Sequence, residues 1–127
     1  MNFINCRQGI YSVKATNQTI SRNKFHVPES TNQTFGVYVL QGTGYKIEEN
    51  ILDEFDVAAI PNGTAETYGI IISNSGDAHN EVYKNTFSNL KVGTQAQGIN
   101  GNEIGEHNDG TIGLQYKCIP SLLLQFI

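Results

Sequence analysis

Tryptophan is absent, proline occurs three times and cysteine twice, and only 16% of the 127 residues are charged. Each shortage excludes something. Soluble chains usually carry about 25% charged residues, so a solvated, charge-laced helical surface is not expected. The two cysteines, Cys6 and Cys118, form no Cys-x-x-Cys pair, which removes zinc knuckles and thioredoxin-type redox motifs. The net charge of −4 lacks the basic balance of a dedicated nucleic-acid binder or of a segment for anionic membranes. The notable apolar run, Leu122-Leu123-Leu124 with Phe126 and Ile127, is far short of the roughly 20 residues of a membrane helix. No apolar stretch with a small-residue cleavage site marks the first residues as a secretory leader. Disorder is also disfavoured, because 39% of the residues are hydrophobic and the net charge is small.

What is abundant is glycine, at 13 positions, and asparagine, at 14. They fall in a repeat. Thr34-Phe35-Gly36, Thr67-Tyr68-Gly69 and Thr111-Ile112-Gly113 share the order Thr, large apolar, Gly. Each leads into an apolar stretch: Val37–Leu40, Ile70–Ile72 and Leu114–Tyr116. Gly9-Ile10-Tyr11-Ser12-Val13 is a fourth copy without the threonine. A second unit, apolar-x-x-Asn-x-apolar, follows at Ile20–Phe25, Ile47–Leu52 and Val82–Phe87. A third trails it at Phe55–Ile60 and Leu90–Ala96. Phe3-x-Asn5 parallels Phe87-x-Asn89, a match that also aligns Gly9 with Gly93.

Val, Ile, Tyr, Phe and Thr punctuated by Gly and Asn are strand-and-turn chemistry, and no long segment keeps helical apolar spacing. Short strands of this kind bury their inward side chains against copies of themselves. The expectation is an all-β parallel β-helix of three to four coils over residues 1–118, uncapped, followed by an apolar tail at 119–127. Asn23, Asn50 and Asn85 are expected to form a side-chain ladder at one turn, with Gly36, Gly69 and Gly113 equivalent in successive coils. The cysteines should lie too far apart for a disulfide and remain free, largely buried thiols. Uncapped strand edges predict end-to-end self-association.

From Gly9 to Cys118 these motifs resemble the right-handed parallel β-helix proteins of the pectin-lyase-like superfamily. Within that group the likeness is to large bacterial surface or secreted proteins. The resemblance implies an extracellular or cell-surface setting through a longer parent protein. It leaves two functions open, since this fold carries enzymes and inert binding modules alike. The preferred one is a non-catalytic structural or binding module whose polar face contacts polysaccharide through Tyr11, Tyr38, Tyr45, Tyr83 or Tyr116. The alternative is a piece of a polysaccharide lyase or glycoside hydrolase.

The residues themselves favour the module. Glu48, Glu49, Asp53, Glu54 and Asp56 form the densest acidic stretch, with Glu49, Asp53 and Asp56 the candidate Ca²⁺ ligands. Their spacing matches no defined calcium loop, so a solvated acidic face is the expectation and no cofactor is required. A lyase needs a cationic base, and only Arg7 and Arg22 are arginines. The aspartates Asp53, Asp56, Asp77 and Asp109 include no adjacent pair for two-carboxyl hydrolysis. His26, His79 and His107 are expected in turns or loops, without metal-ligand spacing. The sequons at Asn17, Asn32 and Asn62 are expected to be turns. Gly42-Thr43-Gly44 and Gly98-Ile99-Asn100-Gly101 lack the Lys-Ser/Thr of a phosphate loop and should also be turns.

Overall fold

The structure is a computed structural model that describes residues 1–29, 32–55, 66–76, 78–100 and 113–117. Among the described residues there is no helix, and twelve strands follow one another: β1 (Asn2–Ile4), β2 (Gln8–Val13), β3 (Thr19–Ser21), β4 (Lys24–Pro28), β5 (Thr34–Leu40), β6 (Lys46–Glu48), β7 (Ile51–Phe55), β8 (Thr67–Ser73), β9 (Asn80–Tyr83), β10 (Thr86–Ser88), β11 (Val92–Gln97) and β12 (Leu114–Lys117). They form three four-stranded sheets. Sheet I has the order β1-β4-β7-β10, sheet II β2-β5-β8-β11 and sheet III β3-β6-β9-β12. Every pairing is parallel. The chain therefore visits the three sheets in strict rotation, an arrangement compatible with a β-solenoid.

The core is a set of columns running across the strands. Phe3, Phe25, Leu52 and Phe87 line sheet I, with the Phe3 and Phe25 rings stacked at 4.7 Å. Ile10, Val37 and Ile70 line sheet II, and Ile20, Ile47 and Val82 line sheet III. Val37, Ile47, Leu52 and Ile70 are completely buried. Half-buried side chains close the column ends: Phe3 and Ile10 beside the first strands, Phe87, Leu90 and Leu114 beside the last. No side chain needs a partner of its own kind in sequence, because the partner is the same position one circuit away.

The glycine column differs from the expected one in its last member. Register places Gly9, Gly36, Gly69 and Gly93 at successive positions of sheet II. Gly113 is not among them. It precedes β12 in sheet III, where its carbonyl accepts the Asn80 N–H. The tripeptide ending at Gly113 is thus a chance match, and Leu90–Ala96, expected as a third unit, supplies the fourth strand of sheet II. The column needs glycine because a Cβ at Gly69 would lie 2.5 Å from the Gly93 carbonyl oxygen and 2.8 Å from the Phe87 ring.

The unit apolar-x-x-Asn-x-apolar proves to be two short strands with a corner between them. Asn23, Asn50 and Asn85 stand at that corner and form the ladder. The Asn50 Oδ1 accepts the Asn23 N–H at 2.9 Å and its Nδ2 at 3.2 Å. Asn85 Oδ1 in turn accepts the Asn50 N–H at 3.0 Å and its Nδ2 at 2.9 Å. The left-handed backbone falls one residue earlier, on Arg22 (φ 55°), Glu49 (φ 58°) and Lys84 (φ 55°). Such a φ costs a residue with a Cβ about 1–2 kcal/mol. The asparagine amide offsets it by pairing backbone groups that the corner would leave buried and unpaired. A similar corner follows sheet II, at Lys14, Gln41, Asn74 and Gly98, all with positive φ.

Cys6 is a free thiol and half-exposed rather than buried. It lies just past β1, where the chain leaves sheet I and no further strand covers it. Cys118 lies outside the described residues.

Candidate functional site

Chemistry on this scaffold can only be built on outward columns and corners, because alternate residues of each strand are committed to the core. On sheet I the outward row reads Ile4, His26, Asp53, Ser88. His26 therefore lies in a strand, not in the expected loop, and its Nδ1 bonds directly to Asp53 Oδ1. The pair was legible in the repeat. His26 and Asp53 are 27 residues apart, as are Asn23 and Asn50, so each follows its ladder asparagine by the same step. Ser88 beside Asp53 gives the three residue types of a nucleophilic triad in the wrong order. A triad needs the imidazole between hydroxyl and carboxylate, whereas here the carboxylate is in the middle.

The outward face of sheet II carries an aromatic cluster. Tyr11 and Tyr38 are register partners whose rings meet edge to face at 5.2 Å. Phe35 joins them, 5.3 Å from Tyr38 and 6.1 Å from Tyr11. Tyr11 is 54% exposed, and the Tyr38 hydroxyl reaches Gln97 Oε1. Of the other tyrosines, Tyr45 belongs to the core. It is 1% exposed, its hydroxyl is bonded to Ser75 Oγ at 3.3 Å, and burial pushes its phenol up to about 12. Tyr83 lies under the Lys84 ammonium, 5.0 Å from the ring centroid. Tyr116 on β12 is 46% exposed, and burial of the rest of the phenol raises its pKa.

The acidic residues do not gather. Glu49 pairs with Arg22 at a corner, at 3.5 Å. Asp53 is held by His26 on sheet I, and Glu54 Oε2 accepts the Thr67 hydroxyl. Glu66 takes the Lys91 ammonium at 3.0 Å and the Tyr68 hydroxyl at 2.9 Å. The Lys91 bond, then the Tyr68 bond, holds the Glu66 carboxyl below its usual range, while the same contact raises Tyr68. His79 bonds to Glu81 at 2.8 Å. Among the described residues no three His, Cys, Asp or Glu side chains are grouped to hold a metal ion. Glu49 and Asp53, two of the three candidate Ca²⁺ ligands, thus have different partners on different elements. Asp56, the third, lies outside the described residues, as do Asp77, Asp109 and His107.

Arg7, the second candidate base, is exposed at the corner entering β2. The described glycines of the two expected turns have turn geometry, and Gly101 lies outside the described residues. Gly44 and Gly98 adopt φ 69° and 68°, and Thr43 bridges to Thr16. Comparison with known protein families, curated proteins and solved structures finds no match to this chain.

Proposed function

We propose that the chain is a right-handed parallel β-helix of the pectin-lyase-like kind, about four coils long, acting as a non-catalytic module that binds polysaccharide. The observation that carries this reading is the Tyr11–Phe35–Tyr38 cluster on the outward face of sheet II. The Tyr11 ring, 54% exposed on a parallel sheet, offers a flat apolar surface, and the Tyr38 hydroxyl beside it bonds Gln97. Sugar rings present matching C–H faces and hydroxyls, and stacking of this kind tolerates a repeating ligand. The separate engagement of Glu49, Asp53, Glu54 and Glu66 supports binding over acid–base chemistry, which needs two carboxyls about 5–10 Å apart across a substrate.

The test is affinity electrophoresis of the chain through gels containing neutral or acidic polysaccharides, with a turnover assay on the same panel with and without Ca²⁺. Retardation by at least one polymer, lost in Tyr11→Ala and without release of sugar products, is the expected result. Turnover that disappears with Asp53→Asn would overturn it in favour of the hydrolase or lyase alternative.

A further inference from the structure

We infer that the outward face of sheet II takes uncharged polysaccharide and rejects acidic polysaccharide, an inference that rests on the polysaccharide-binding reading and names the chemical class of its ligand. Among the described residues, β2, β5, β8 and β11 contain no charged side chain. The other two sheets do carry charge within their strands. Sheet I has Lys24, His26, Asp53 and Glu54, and sheet III has Lys46, Glu48 and Glu81. Charge is therefore compatible with this scaffold, and its absence is a property of sheet II.

The central outward row of this face reads Tyr11, Tyr38, Ile71, Gln95. The Tyr38 hydroxyl reaches Gln97 Oε1 at 3.5 Å, two strands away, so these two side chains close over β8, where Ile71 is completely buried. The row presents aromatic rings at one end and carboxamides at the other, over three strand spacings or roughly 14 Å. Both ends suit a neutral sugar. Its C–H face stacks on a ring, and its hydroxyls donate to and accept from an amide. A uronate or a sulfated sugar would instead set an anion on the row with each unit, where no cation answers it. Taking an unpaired charge out of water is costly. The nearest cations in sequence lie past the strand ends. Arg7 precedes β2, Lys14 follows it, and Lys91 precedes β11, where Glu66 holds its ammonium at 3.0 Å.

The test is isothermal titration calorimetry of the full chain with dextran, hydroxyethylcellulose, galactomannan and xyloglucan, each beside its carboxymethylated form, at low and at high NaCl. The expected result is binding of at least one neutral polymer, with an affinity that changes less than about twofold with salt, because screening acts on charge alone. The carboxymethylated form of that polymer should bind about tenfold more weakly. Gln95→Lys sets a cation in the row and should recover most of that loss at low salt only, with the thermal midpoint of unfolding unchanged. Binding confined to carboxymethylated polymers, an affinity that falls steeply with salt, or no gain in Gln95→Lys would overturn this inference and leave polysaccharide binding standing. Failure of every polymer to bind would overturn the polysaccharide reading itself, and this inference with it.

Discussion

Asn50 is completely buried and occupies the centre of the corner ladder, so its removal tests what holds successive circuits in register. The side chain accepts two hydrogen bonds from Asn23 and donates two, to the Ile20 carbonyl at 3.0 Å and to Asn85 Oδ1 at 2.9 Å. In Asn50→Ala, the half-exposed Asn23 amide can turn to water, and Asn85 Oδ1 keeps the Asn50 backbone N–H. One backbone group, the Asn23 N–H, loses its partner, whereas the Ile20 carbonyl keeps the ladder bond from the Glu48 N–H. At about 1–3 kcal/mol for the unsatisfied N–H and about 0.5–1.5 kcal/mol for the lost bond to the Ile20 carbonyl, the expected loss is about 2–4 kcal/mol. That is a large share of the roughly 5–15 kcal/mol that keeps a domain folded. At about 3–4 °C per kcal/mol for a chain of this length, the midpoint should fall by roughly 10 °C. The assay is urea unfolding followed by far-UV circular dichroism, with the exposed Asn2→Ala as the control, expected within about 0.5 kcal/mol of the parent.

Asn50→Asp sharpens the same experiment. A carboxylate keeps both acceptor bonds but sets a lone pair against the Ile20 carbonyl and Asn85 Oδ1, which removes both donor bonds and buries a charge. At neutral pH it should therefore be worse than alanine. Protonation restores one donor, so the folded state holds the proton more tightly than the unfolded chain, whose carboxyl titrates near 3.9. Stability is then greatest below that value and is lost as pH rises through the higher folded-state value. The reasoning is refuted if Asn50→Ala behaves like Asn2→Ala, or if Asn50→Asp gains nothing in acid relative to Asn50→Ala.

The glycine column makes a graded prediction. Gly69→Ala drives a Cβ into the Gly93 carbonyl and the Phe87 ring and should cost about 1–3 kcal/mol by urea unfolding. Gly93→Ala, whose nearest contact is 3.3 Å from Phe87 Cγ, should cost less, and the reverse order would sink the assigned register. Tyr45 predicts an alkaline limit. Its phenol, near 10 in the unfolded chain, is pushed to about 12 when folded, a difference of about 3 kcal/mol. That stability is fully present below pH 10 and is lost as pH rises toward 12. Tyr45→Phe should lack this part of the slope in a plot of urea midpoint against pH.

Much of the fold was visible in the sequence because parallel strands that visit three sheets in rotation repeat their constraints. Asn23, Asn50 and Asn85 could be aligned by eye, and the structure joins them by hydrogen bonds. Gly9, Gly36 and Gly69 aligned for the same reason. Gly113 misled because Thr-x-Gly describes a residue pattern, whereas the column is defined by what a Cβ would strike. Gly93 meets that requirement without the threonine. The His26–Asp53 pair was missed because the two residues were weighed separately, as a loop histidine and an acidic-stretch aspartate. Tyr45 looked like a surface aromatic because nothing in the local pattern announces that Ser75, 30 residues later, will receive its hydroxyl.

The shortage of charge also has a structural reason. In parallel stacked strands every outward residue faces the same position of the next circuit at about 4.8 Å. Like charges in one column would repel along its whole length. The described columns avoid this by alternation. Arg22, Glu49 and Lys84 succeed one another at one corner, His26 faces Asp53 on sheet I, and Lys46 faces Glu81 on sheet III. Where charges do not alternate, a charge has uncharged neighbours, as Lys24 has Asn2 on one side and Ile51 on the other. Each charge thus constrains its neighbours in the circuits before and after. Neutral Asn, Thr, Gln and Tyr carry no such constraint, and they are what the chain uses instead.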